Sequence, residues 1–122
     1  MTDWIFKILR EPEWRQAEQS TEFPGSPADQ LDGFIHFSTF AQLEGTVNKH
    51  FSDVDCCRLL VFDGASFAEE AMKWEPSRGG QLFPHLYAPL DVSLAIRTWK
   101  IDRQPSGQFD LSVAHEWMKA ND

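Results

Sequence analysis

The run Leu59-Leu60-Val61-Phe62, bounded by Arg58 and Asp63, places four apolar residues in succession with no alternation. A strand wetted on one face alternates apolar and polar residues, so an unbroken run needs cover on both faces. The stretch is read as the central, doubly buried strand of a sheet. Cys56 and Cys57 lead into it. Adjacent cysteines are poorly placed to bond each other, lack zinc-ligand spacing, and beside a buried strand are usually inert as thiols.

Toward the N-terminus, Phe40, Leu43, Val47 and Phe51 recur at helical spacing and turn one apolar face to that sheet. Ser38 or Thr39 suits the cap of this helix. Ahead of it, the apolar part of Gly33-Phe34-Ile35-His36-Phe37 reads as a short strand. Glu11-Pro12-Glu13 opens an earlier helix, with proline in its first turn and acidic residues at the positive end of its dipole. Trp14 and Ala17 face inward from it, and residues 22–27 break it into a loop. Trp4 to Leu9 alternates, with Trp4, Phe6 and Ile8 on one face and Ile5, Lys7 and Leu9 on the other, as an opening strand.

Toward the C-terminus, residues 64–70 connect to Met72-Lys73-Trp74-Glu75. Residues 76–80 form a loop before Leu82 to Tyr87, and residues 92–101 alternate as another strand. Pro105-Ser106-Gly107 is a turn expected to join two strands, and residues 111–120 form a C-terminal helix. Helices dominate the first half and strands the second. That order predicts an α+β fold and argues against a doubly wound parallel sheet. The 122 residues fit a single domain spanning 1–122.

Eleven Lys and Arg stand against 19 Asp and Glu, a formal charge of -8. Such a field repels phosphate backbones at long range, so general nucleic-acid binding is not expected, although a few cations can still build a local basic pocket. Met1-Thr2-Asp3-Trp4 shows no signal-peptide pattern, and no apolar segment approaches the roughly 20 residues that span a bilayer. A cytoplasmic protein without a membrane partner is expected.

Three clusters carry chemistry. His36 alternates with Ile35 and Phe37, so it shares a face with Phe34 and Ser38, just ahead of a helix start at Ser38 and Thr39 whose free N–H groups suit an anion. The alternative is a core histidine with both nitrogens satisfied. Trp74-Glu75-Pro76-Ser77-Arg78-Gly79-Gly80 supplies a carboxylate, a hydroxyl and a guanidinium; the glycine pair can form an anion-binding nest and Arg78 a bidentate clamp. The plainer reading is a hairpin loop with a surface arginine. His85 and Tyr87, two apart on a strand, share a face and can grip a ribose hydroxyl or stack on a flat ring. His50 reads as a favourable charge at a helix C-terminus and His115 as a surface residue. Strong metal-binding spacings are absent and no metal is expected.

These motifs together, Gly33-Phe34-Ile35-His36 with Ser38-Thr39, Trp74-Glu75, Gly80, Phe83-Pro84-His85 and Tyr87, resemble the bacterial domain-of-unknown-function 952 family over nearly the whole chain. That family's fold resembles the ADP-ribosyltransferase fold. The resemblance implies a mixed, largely antiparallel split sheet flanked by helices, with a cleft for NAD or an ADP-ribose-like group. It implies that His36 binds the nicotinamide ribose and that His85 or Tyr87 stacks on nicotinamide. The late catalytic glutamate of that superfamily has no counterpart, since no Glu lies between Glu75 and Glu116. The RNA 2′-phosphotransferase branch works instead with Arg and His on phosphate, which Arg78, His36 and His85 match. The expectation is a protein that binds or processes NAD, ADP-ribose or a phosphorylated nucleotide. His36, Arg78 and His85 are its reactive set, and Ser38, Thr39, Trp74, Glu75, Ser77, Gly79, Gly80 and Tyr87 surround the ligand. The alternatives are a non-catalytic nucleotide-binding module and a metal-assisted small-molecule enzyme.

Overall fold

In chain order the elements are β1 (Trp4–Leu9), α1 (Glu11–Ser20), β2 (Glu22–Phe23), α2 (Pro27–Asp32), β3 (Ile35–His36), β4 (Ser38–Thr39), α3 (Phe40–His50), β5 (Cys56–Asp63), β6 (Met72–Pro76), β7 (Leu82–Leu86), β8 (Leu90–Asp91), β9 (Arg97–Asp102) and α4 (Ser112–Asn121). This computed structural model describes residues 2–121.

β5 lies between β1 and β9 in a four-stranded sheet of order β4-β1-β5-β9. Leu59, Leu60, Val61 and Phe62 are all fully buried, as the unbroken run requires. Strand period sends Phe6, Ile8, Leu59 and Val61 to one face, where Leu43 and Val47 of α3 and Ala114 and Trp117 of α4 cover them. Ile5, Leu9, Leu60 and Phe62 face the other way, against Ala17 of α1 and against Ile35, Met72 and Leu86 of a second sheet. Each such fully buried Leu, Ile or Phe contributes about 1.5–3 kcal/mol of transfer free energy.

The second sheet has order β3-β7-β6, and β2 pairs with β8. The two larger sheets meet at Phe37. Its N–H donates to the Pro84 carbonyl at 3.0 Å, extending the β3–β7 pairing, while the next residue, Ser38, already pairs with Phe6 of β1. The chain thus passes from one sheet into the other within a residue. The face of the second sheet carrying Ile35, Met72 and Leu86 is sealed in the core. The opposite face, carrying Phe34, His36, Phe83 and His85, borders a cleft under α2 and α3.

Three expectations change. Every ladder among the described residues is antiparallel, so the sheet is not mixed. Parallel neighbours need a crossover returning the chain to the same end, whereas β6 and β7 join through a tight turn at Ser77–Gln81. The loop expected over residues 22–27 is instead β2 followed by the start of α2. Ser26 and Asp29 form a reciprocal capping box around Pro27, which starts a helix where prolines and glycine suggested irregular chain. The expected strand over residues 92–101 opens with a 3₁₀ turn at Val92–Leu94 before β9, and beyond the Pro105-Ser106-Gly107 turn the hairpin is reduced to one bridge, Arg103 to Phe109.

Candidate functional site

His36 and His85 are cross-strand partners in the β3–β7 ladder. Residues directly opposite across antiparallel strands project from the same face, so the register alone brings two imidazoles distant in sequence together. Their ring centroids lie 5.5 Å apart with planes at 71°. Phe34 stacks on His85 at 4.0 Å and touches His36 at 4.6 Å.

The two rings are held differently. His85 is only 4% exposed. Its Nδ1 lies 2.9 Å from Oε1 of Glu75, and the Tyr87 hydroxyl donates to the same oxygen at 2.7 Å. The Tyr87 bond first, then the His85 bond, holds the Glu75 carboxyl below its ordinary range, and the same bond pushes the Tyr87 hydroxyl up. An ionised carboxylate only accepts, so Nδ1 carries the proton of that bond. The other nitrogen, Nε2, is buried with no partner among the described residues. A buried polar atom left in this state is costly.

His36 is bonded on both sides. Nδ1 lies 2.6 Å from Oδ1 of Asp29 and Nε2 lies 2.9 Å from Oδ2 of Asp32. Both carboxylates come from α2. Gly33 ends that helix with φ at +87°, a conformation favouring glycine, and the turn brings β3 back beside it. Asp29 is a buried hub. It accepts from the Ser26 N–H, the His36 N–H, His36 Nδ1 and Lys7 Nζ. Burial alone would raise its pKa, but the bond to His36, then the Lys7 charge and the Ser26 N–H, hold it well below the carboxylate range. Lys7 is equally buried, donates to Asp29 at 3.1 Å and to the His36 carbonyl at 2.9 Å, and has its pKa lowered by that burial.

A cleft of about 390 Å³ opens in front of the pair, with His36, Ser38, Thr46, Ser77, Arg78 and His85 in its wall. Arg78 makes no ion pair with a carboxylate among the described residues. Its Nη2 donates to the Gln42 carbonyl and to Thr46 Oγ1, both at 3.3 Å, and the guanidinium covers Phe83. A Cβ on Gly45 of α3 would stand 3.1 Å from that Nη2, so the glycine makes room for the guanidinium. Arg10, also in the wall, is neutralised by a two-point bond to Asp53. His50 borders the same space, and its pKa is lowered by burial, then by the surrounding cations Lys49, Arg78, His36 and Arg10. Lys7 and Arg10 are paired with Asp29 and Asp53, so among the described residues Arg78 is the lysine or arginine of this wall left without a carboxylate, and the group suited to an oxyanion.

Of the residues singled out from sequence, His36, Ser38, Ser77, Arg78 and His85 line the cleft, and Glu75 and Tyr87 stand behind His85. Thr39 does not line it; its side chain caps α3. Trp74 lies on β6, partly exposed and away from the cleft wall. Gly79 and Gly80 form no part of that wall, and no nest is made by the Gly80 N–H, which is spent inside the turn on the Ser77 carbonyl at 2.8 Å. Glu75 belongs to a strand rather than to the Arg78 turn. Cys57 is buried in β5 with its thiol pushed up to about 12 by that burial, so it supplies no nucleophile. No group of three or more His, Cys, Asp or Glu that could hold a metal ion occurs among the described residues. Sequence reading missed Asp29, Asp32, Lys7, Gly45 and His50. The available signals were the Ser26-Pro27-Ala28-Asp29 capping pattern, a lysine on the apolar face of β1, and a glycine inside a helix.

The sequence model of one family, described as Protein of unknown function (DUF952), matches residues 8–98. Among solved structures, the crystal structure of protein CC0527 from Caulobacter crescentus is 40% identical, covers 91% of this chain and 96% of its own, and superposes with a TM-score of 0.85. A double mutant of CC0527 gives the same values, and its solution NMR structure gives a TM-score of 0.80 at 92% and 96% coverage. No curated protein matches the chain. No helix among the described residues is long and apolar enough to cross a membrane.

Proposed function

The chain belongs to the DUF952 family, whose proteins are of unknown function, and from that premise we propose that its cleft binds a phosphate-bearing, nucleotide-like ligand such as NAD, ADP-ribose or a phosphorylated nucleotide. The observation that carries this reading is His85, whose buried Nε2 has no partner among the described residues, in the same cleft wall as His36 and Arg78. Arg78 supplies a positive charge not neutralised by a carboxylate among the described residues, and Ser38, Thr46 and Ser77 supply hydroxyls. The volume of about 390 Å³ lies within the roughly 300–1,000 Å³ usual for small-molecule sites. The ADP-ribosyltransferase-like reading of the fold belongs to this proposal, supported by two antiparallel sheets that part at Phe37 beside the cleft.

Thermal melting with NAD, ADP-ribose, adenosine 5′-monophosphate and unphosphorylated adenosine tests the reading. A ligand at a hundred times its Kd stabilises the fold by about 2.7 kcal/mol. The phosphorylated compounds are expected to raise Tm and adenosine to leave it unchanged, with the rise lost in Arg78→Met. If none of the phosphorylated compounds moves Tm, or Arg78→Met responds as the wild type does, the reading fails.

A further inference from the structure

We infer that His85 and His36 are the base and the acid of one reaction, the hydrolysis by water of a nucleotide phosphodiester. This rests on the ligand reading above and adds to it a reaction and a substrate class. The two rings differ in their proton inventory because their partners differ. Glu75 accepts a hydrogen bond from the Nδ1–H of His85, and in that tautomer Nε2, without a partner among the described residues, holds a lone pair. His36 faces a carboxylate oxygen at each nitrogen, and since carboxylates only accept, both bonds together call for N–H on both. One ring is thus arranged to receive a proton and its neighbour, 5.5 Å away between centroids, to give one.

In the reaction, Nε2 of His85, covered in this structure, is uncovered toward the cleft as the ligand enters, and takes a proton from water as the water oxygen bonds to phosphorus. The phosphorus–oxygen bond to the leaving alcohol breaks with its electron pair, and that oxygen takes the proton from Nε2 of His36. Asp32, half exposed at the cleft edge, releases that N–H, while Asp29 keeps the ring in place. Arg78 faces the non-bridging oxygens. The products are a phosphomonoester and an alcohol, and the rings exchange their protons with solvent. Transfer at a ribose carbon is less well served, because a developing oxocarbenium ion calls for a free carboxylate. Glu75 is engaged by Tyr87 and His85, Asp29 by four donors, and Asp32 by His36.

The test compares two diesters of one nucleotide, adenosine 5′-(methyl phosphate) and adenosine 5′-(4-nitrophenyl phosphate). Nitrophenolate leaves without a proton and methoxide does not. The wild type is expected to hydrolyse both. His85→Asn should lose about 10²–10⁴-fold on both, the usual worth of a positioned base. His36→Asn should lose a similar factor on the methyl ester and less than about tenfold on the nitrophenyl ester, where an acid has little to do. Tm shifts with adenosine 5′-monophosphate are measured alongside. Binding without hydrolysis of either ester, or equal losses on both esters in His36→Asn, overturns the acid–base pair and leaves the ligand reading standing. Neither binding nor hydrolysis overturns both.

Discussion

β5 and β7 are each an inner strand of a sheet, and each buries a group capable of chemistry, Cys57 in one and His85 in the other. In β5 the surroundings are apolar on both faces, and the thiol is pushed up to about 12 and silenced. In β7 only the face carrying Leu86 joins the core. The other presents His85 to Glu75 and Tyr87 on one edge and to the cleft on the opposite edge. Burial by itself takes a titratable group out of use. Burial with a carboxylate on one nitrogen and no partner on the other among the described residues sets a proton position and leaves one hydrogen-bonding position unfilled. The two strands should therefore answer opposite mutations in opposite ways.

The largest effect belongs to β5. Phe62→Ala removes a fully buried ring packed on Phe37 and Phe67, and should cost about 3–5 kcal/mol in denaturant unfolding. His85→Leu fills similar space and deletes the partnerless Nε2, so its unfolding free energy should stay within about 1 kcal/mol of wild type while the Tm rise with phosphorylated ligand disappears. A His85→Leu protein as unstable as Phe62→Ala makes β7 a structural strand like β5 and removes the contrast.

The same contrast decides what could be read in advance. β5 and α3 were legible because their burial is written in local periodicity, in Leu59 to Phe62 and in Phe40, Leu43, Val47 and Phe51. His36 and His85 were legible as residues, since a polar ring inside an apolar strand is itself a signal. Their pairing was not, because register between β3 and β7 is a tertiary fact. Lys7 occupies a position between Ile5 and Leu9 that period 2 sends to the core, and only the arrival of Asp29 from α2 explains it. Asp29 was hidden in turn because a six-residue helix between a Gly-Ser-Pro segment and a glycine reads as loop. His50 looked like a helix-end charge, since nothing local showed that Arg78 and Arg10 gather around it. Trp74, Gly79 and Gly80 carry suggestive types, but the direction a turn faces is not encoded in its composition.

A smaller effect sharpens the comparison through pH. Asp29 has a folded pKa well below its unfolded value, the bonds from His36, Lys7 and Ser26 outweighing burial. A depressed carboxyl contributes stability that is fully present above the unfolded pKa of about 3.9 and drains away as pH falls below it. Unfolding free energy should therefore fall from about pH 4 downward. Asp29→Asn should be less stable at neutral pH and show a shallower acid limb. Equal acid limbs in the two proteins would mean that the hub beneath His36 contributes nothing through its charge.

The smallest effect separates stability from binding at one atom. Gly45 lies in the interior of α3, where alanine is better by about 0.5–1 kcal/mol. Its new Cβ would stand 3.1 Å from Nη2 of Arg78, and the flexible guanidinium must move away. Gly45→Ala is therefore expected to melt at or slightly above the wild-type temperature while binding adenosine 5′-monophosphate more weakly in calorimetry. A core position such as Phe62 cannot give that combination, because there any loss of fit is a loss of fold. If Gly45→Ala keeps full affinity, Arg78 has room to spare and the glycine is a matter of helix packing alone. If stability and affinity fall together, the cleft wall and the core behind it are one cooperative unit, and the division between β5 and β7 is weaker than their contacts suggest.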